Sequence, residues 1–316
     1  TAAALTRELS ELRNEINDGE VLLDEPENVF ADSGDRLSAS MLGIEDGIGA
    51  TELDGYDGKY AKTAQSTGKK PVAQSEAKAI AAEFDKTIKN TILLAEKLGI
   101  HQINTFSGCP GDQENAKYPN WVVCPWPNDF SEILEWQWNE VLIPYWTKTV
   151  AFAKEHGVDK IAFELHPGFC VYNTESMLKI RKAVGPELGA NFDPSHLIWQ
   201  GMDPVACIRA LGDAIFHFHA KDTKIDKYNT AVNGVLDTKP YADEIHRSWI
   251  FRSVGYGNDF AYWKDMISNL RMVGYDYAIS IEHEDSLMSQ DEGLSKAVDF
   301  LKDVLITQNT GDMWWV

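Results

Sequence analysis

Asn191-Phe192-Asp193-Pro194-Ser195-His196, joined through a short interval to Phe216-His217-Phe218-His219-Ala220-Lys221-Asp222, is the stretch whose reading decides the fold. Each half opens as a short apolar strand and closes in acids and histidines. Between them Asp203, Pro204 and Gly212 mark a helix, with Asp as N-cap, Pro at the first helical position and Gly as stop. A strand, a helix and a strand in so short a span make a parallel crossover unit. Its polar residues fall where the strands end, the edge on which parallel α/β folds build their sites.

The same grammar runs outward from this unit. A helix pattern stopped by glycine, then a strand, then acids or histidines, recurs five times, at Gly99, Gly157, Gly185, Gly212 and Gly274. The patterns predict helices over 75–98 (capped by Ser75), 131–156 (kinked at Pro144), 174–184 and 259–273, and strands over 100–106, 160–166, 214–219 and 277–285. Strands this apolar belong to a parallel sheet covered by helices. We therefore expect an α/β fold, a single (β/α)8 TIM barrel over residues 1–316, with regular units over 75–306 and a tail over 307–316. Residues 1–75 must then supply two or three indistinct units; residues 5–16 read as an amphipathic helix and 21–23 as a strand. The glycine- and aspartate-rich run 43–58 has neither the alternating oxygens and closing Glu of a calcium loop nor the strand-then-helix context of a dinucleotide fingerprint. It reads as a flexible acidic loop. Two long aromatic insertions, 107–130 and 223–257, fall at the C-terminal face of the expected barrel. Trp121 in the first is a candidate to stack on a sugar face, but such aromatics equally suit a subunit interface.

Composition narrows the partners. The chain has 316 residues, is 44% hydrophobic and carries a formal net charge of −20, which disfavours a nucleic-acid backbone as ligand. No apolar run is long enough to span a membrane. Acidic residues come too early for a signal peptide, and no initiator Met is present, so we expect the native chain to begin further upstream. Four cysteines without a C-x-x-C pair read as reduced thiols. These features lead us to expect a cytoplasmic protein.

Strand periodicity places the chemistry. Glu164 and His166 share a face; so do His217, His219 and Lys221, and Ser280, Glu282 and Glu284. In a barrel Glu164, Asp193, His219 and Glu282 converge from four consecutive strand ends. An isolated acid or histidine is usually a cap or an ion-pair partner, and His101, His156 and His246 read as structural or surface residues. Four ligand-type residues at consecutive strand ends are another matter. Three carboxylates and an imidazole suit Mn²⁺ first, with Mg²⁺, Co²⁺ or Zn²⁺ also accommodated. A cation also relieves the repulsion that converging carboxylates would suffer.

The segments Phe163-Glu164-Leu165-His166, Asp193-Pro194-Ser195-His196, His219-Ala220-Lys221-Asp222 and Ile281-Glu282-His283-Glu284 together resemble the xylose-isomerase-like TIM-barrel superfamily of sugar isomerases and epimerases. The resemblance implies that Glu164, Asp193, His219 and Glu282 hold one divalent metal and that His196 contacts ligand or metal. It implies proton abstraction next to a carbonyl through an enediolate, with Glu164 and Glu282 as base and acid. His166 is a rival base, while Lys221, Arg252, His196 and His217 are candidates for holding a small sugar or glycoside. The chain departs from the ketose 3-epimerases, which usually have Pro after the first metal Glu; here Leu165-His166 follows. Their arginine after the metal His has no counterpart among Lys224, Ile225 and Lys227. Glu164-x-His166 instead looks like the large subunit of bacterial C-glycoside deglycosidases, lyases that work with a small second subunit. The apurinic endonuclease branch needs more ligands and a basic groove. A metal-dependent sugar isomerase or epimerase, assembled as an oligomer, is the first expectation. A C-glycoside lyase is the second, favoured by the apolar tail Met313-Trp314-Trp315-Val316, and a non-catalytic sugar-binding barrel is the third.

Overall fold

The computed structural model describes residues 74–308 except Asn115 and Lys117, together with Gly311 and Trp315, and the side chains from residue 80 onward. The expectations for residues 1–73 and for most of the apolar tail lie outside the described residues. Strands β1 (Gln102–Thr105), β2 (Lys160–Glu164), β3 (Leu188–Phe192), β4 (Ile215–Ala220) and β7 (Ile279–Ile281) form one parallel sheet in that order. Helices cover it: α1 (Gln74–Leu98), α2 (Asn128–Trp136), α3 (Ile143–Glu155), α4 (Thr174–Val184), α6 (Pro204–Leu211), α8 (Phe260–Met272) and α9 (Gln290–Val304). Sequential strands lie side by side with a helix between them, as expected for consecutive units of a (β/α)8 barrel.

The five stop glycines all have positive φ, from 54° at Gly212 to 157° at Gly185. At Gly157 (φ 74°) the left-handed turn lets α3 end and the chain reverse at once into β2. Strand faces divide as the period of two requires. Phe218 meets Trp263 of α8 edge-on and stacks on Phe192, so the phenylalanines point to the helices while His217 and His219 take the other face. Gly189 in β3 gives this layer room: a Cβ there would stand 2.4 Å from the Phe216 ring.

Three readings need correction. Ser75 lies inside α1 and does not cap it. The kink expected at Pro144 is a π-helical segment, Gln137–Leu142, ending just before α3, because proline has no N–H for the i−4 carbonyl. That segment has a use: buried Gln137 donates its amide N–H groups to the carbonyls of Pro110, Gly111 and Asn120, pinning the 107–130 insertion. The insertion 223–257 is no plain loop. It contains β5 (Asp222–Ile225) paired antiparallel with β6 (Trp249–Arg252), and α7 (Lys227–Asn233) between them. A short helix missed in the sequence, α5 (Pro194–Trp199), follows β3 directly and has Asp193 as its N-cap.

Candidate metal centre

Glu164 ends β2, Asp193 follows β3, His219 lies near the end of β4, and Glu282 follows β7. One ligand atom from each lies within 4.8 Å of all the others. Neighbouring pairs are closer: His219 Nδ1 is 2.9 Å from Glu282 Oε2 and 3.7 Å from Glu164 Oε2. Donors held about 2.1 Å from one small cation stand roughly 3–4 Å apart, so the spacing suits a shared ion. Asp193 Oδ2 and Glu282 Oε2 are buried, the first with Lys221 Nζ at 3.0 Å and His196 Nε2 at 3.2 Å, the second with His219 Nδ1 at 2.9 Å. The charges point the same way: the carboxylates of Glu164, Asp193 and Glu282, with Glu284 nearby, outnumber the single Lys221 ammonium among them.

Lys221 is the centre's fixed cation. Only 1% exposed, its Nζ lies 3.0 Å from Asp193 Oδ2, 2.9 Å from Glu282 Oε1 and 3.0 Å from Glu284 Oε2. Burial opposes its charge, but these carboxylates outweigh burial and hold it firmly protonated. The same lysine separates the two glutamates chemically. Burial pushes the Glu164 carboxyl well up, and the charge of Glu282 adds to this. Burial also acts on Glu282, yet Lys221 and His219 overcome it and hold that carboxyl below its ordinary value. Burial raises Asp193 despite Lys221.

His196, on α5, places Nε2 3.0 Å from Glu164 Oε1 and 3.2 Å from Asp193 Oδ2, bracing two of the candidate ligands. His166 lies against it with ring centroids 4.1 Å apart, and its Nδ1–H donates to the Pro167 carbonyl at 2.6 Å. Burial holds the His166 imidazole down at about 4 and His196 well below its ordinary value, so both are neutral at pH 7. Glu164, His166 and His196 form a second group with ligand spacing. That trio offers one carboxylate where the four-residue set offers three, which makes the latter the better site for a hard divalent cation. Phe106, Phe169 and Phe251 wall the histidines with ring edges and faces.

The other expected site residues have different neighbours. His217 is buried one pleat below His219, and its Nε2 is 2.9 Å from the Ser280 hydroxyl. Arg252 donates from Nε to Asp285 Oδ2 at 3.0 Å. Trp121 meets Tyr172 edge-on at 5.3 Å. Sequence reasoning passed over Asp222, fully buried after β4. Its carboxylate accepts the backbone N–H of Thr223, Gly255, Gly257 and Asn258, the Asn258 amide N–H and the Trp263 indole N–H. It thereby clamps the 253–258 turn beside Lys221. A strand-end Asp flanked by glycines 33 and 35 residues later was the available signal.

Residues 67–304 match the family model of the xylose isomerase-like TIM barrel. The chain belongs to that family. Within it, the chain is 43% identical over 223 residues to the uncharacterized protein YfiH of Bacillus subtilis, covering 70% of each. It is 33% identical over 132 residues to the rhizopine catabolism protein MocC of Rhizobium meliloti, covering 41% of this chain and 38% of that one. Over 158 residues it is 25% identical to an inosose dehydratase of Mesomycoplasma hyopneumoniae, covering 49% and 50%. The matches to these last two thus span half or less of their length. The expected (β/α)8 fold class stands with the family. Among the described residues, no helix is long and apolar enough to cross a membrane.

Proposed function

We propose that this chain is a divalent-metal-dependent enzyme that removes a proton from carbon next to the carbonyl of a small polyhydroxylated ketone. The observation that carries this reading is the convergence of Glu164, Asp193, His219 and Glu282, with Lys221 fixed among them. Those four residues would hold the ion, with Mn²⁺ the best match to a mostly oxygen set. When bound, the ion would supply Lewis-acid stabilisation of the negative charge that develops as the proton leaves.

The chain's own residues account for the proton traffic. Glu282, kept ionised by Lys221 and His219, suits the base, and Glu164, whose carboxyl is pushed up by burial, suits the acid that returns a proton. His166, neutral at pH 7 and packed against His196 beside Glu164, is the rival base. Return of the proton to the opposite face gives epimerisation; return to the neighbouring carbon gives isomerisation. Elimination of a β-substituent is the second reading. The neutral His166–His196 pair beside Glu164 favours it, and so does similarity to a protein named inosose dehydratase, since dehydration is such an elimination.

The test is deuterium uptake from D₂O at the α-carbon of ketohexoses and inososes, followed by NMR with Mn²⁺ present. Exchange is expected in the wild type and a loss of 10²-fold or more in Glu282→Gln. Equal exchange in wild type and variant would sink the scheme, and appearance of an unsaturated product would select elimination.

A further inference from the structure

We propose that Asn191 is a positioning residue for the metal centre, selecting which nitrogen of His219 faces the ion. The proposal rests on the metal reading above. Asn191 lies in β3, opposite Glu164 of β2 on one side and His217 of β4 on the other. It is 2% exposed, and its side-chain Nδ2 is 3.0 Å from His219 Nε2. Its Oδ1 is buried without a hydrogen-bond partner.

The His219 ring is oriented so that Nδ1 faces the carboxylates of Glu164 and Glu282 and Nε2 faces Asn191. A neutral imidazole carries one proton. With the proton on Nδ1, which lies 2.9 Å from Glu282 Oε2, Nε2 accepts from the Asn191 amide N–H, the group placed 3.0 Å from it. With the Nδ1 lone pair on a cation, the proton moves to Nε2, and Nε2–H requires an acceptor. A half-turn of the Asn191 carboxamide presents Oδ1 at that position. An amide carries both a donor and an acceptor, so it serves both tautomers; a carboxylate serves only the second, and an alkyl group neither. A buried Nε2–H facing no acceptor would oppose cation binding at Nδ1.

The test compares wild type, Asn191→Asp and Asn191→Leu by calorimetric titration with Mn²⁺ and with Zn²⁺. The Zn²⁺-loaded proteins, ¹⁵N-labelled at histidine, report the tautomer by long-range ¹H–¹⁵N NMR. Wild type and Asn191→Asp are expected to bind, with His219 in the Nε2–H form, while Asn191→Leu loses about 10–100-fold in affinity. Asn191→Ser, too short to reach the ring, replaces the leucine variant should that one not fold. Binding by Asn191→Leu or Asn191→Ser at wild-type affinity, or a His219 Nδ1–H in the loaded wild type, overturns the role of Asn191 and leaves the metal centre standing. Failure of the wild type to bind either ion overturns both.

Discussion

At the scale of single residues the centre is governed by one buried ammonium. Replacing Lys221 by Met keeps its volume but leaves Asp193 and Glu282 without their fixed counter-charge, and breaking a buried pair in this way costs about 3–5 kcal/mol. Urea unfolding with chelator should show that loss, and Mn²⁺ should stabilise Lys221→Met more than wild type, because the ion then supplies the positive charge that Lys221 no longer gives these carboxylates. A smaller metal-induced shift in the variant would contradict this. His166 makes a pH-dependent contribution whose sign follows from burial. Its folded pKa is lowered from 6.5 to about 4, so between these values the unfolded chain binds a proton that the folded one refuses. Stability from this group is complete above about pH 6.5 and declines as pH falls toward 4, by up to roughly 3 kcal/mol. His166→Gln should flatten that part of the acid limb in denaturant titrations; an unchanged slope would show that His166 is not held neutral. The identities of Glu164, Asp193, His219 and Glu282 were legible in the sequence because period-two alternation and their place after apolar runs put them on one face. Asn191 was not legible as a participant, because what distinguishes it is an amide aimed at one ring nitrogen, and spacing says nothing of aim.

At the scale of elements, the strand ends work because loops are tied to them. Asp222 gathers five backbone or side-chain N–H groups from beyond its own neighbour Thr223, and Asp285 accepts from the Ser253 N–H and from Arg252. Asp222→Asn turns one acceptor oxygen into a donor facing donors. The expected cost is about 2–4 kcal/mol in chemical denaturation, together with faster amide exchange at Gly255 to Asn258. Stability within 0.5 kcal/mol of wild type would mean that the clamp carries no weight. The helix stops at Gly99, Gly157, Gly185, Gly212 and Gly274 were readable because a chain leaving a helix through a positive φ has one favoured residue. The β5–β6 ribbon within 223–257 was not, since its strands are short and draw their stability from packing: Trp199 of α5 stacks on Trp249 of β6 at 4.5 Å.

For the whole molecule, an ion held at this centre would be coupled to the fold. The site draws carboxylates and an imidazole from four separate strand ends, so a cation that binds the folded arrangement must stabilise all of it. At Mn²⁺ a hundredfold above its dissociation constant the gain is about 2.7 kcal/mol, and calorimetric melting should rise by several degrees over the EDTA-treated protein. Identical melting curves in Mn²⁺ and in EDTA would remove the metal from the account. The sequence by itself determined the repeated βα grammar, the family resemblance and the four candidate ligands, because each depends on residue type and local period. Only the tertiary structure decided that Lys221 lies between Asp193, Glu282 and Glu284, that His196 braces two ligands, and that His219 turns Nδ1 inward and Nε2 toward Asn191. Those facts are distances between atoms far apart along the chain, set by the register of a parallel sheet and the burial around it, and no local pattern encodes them.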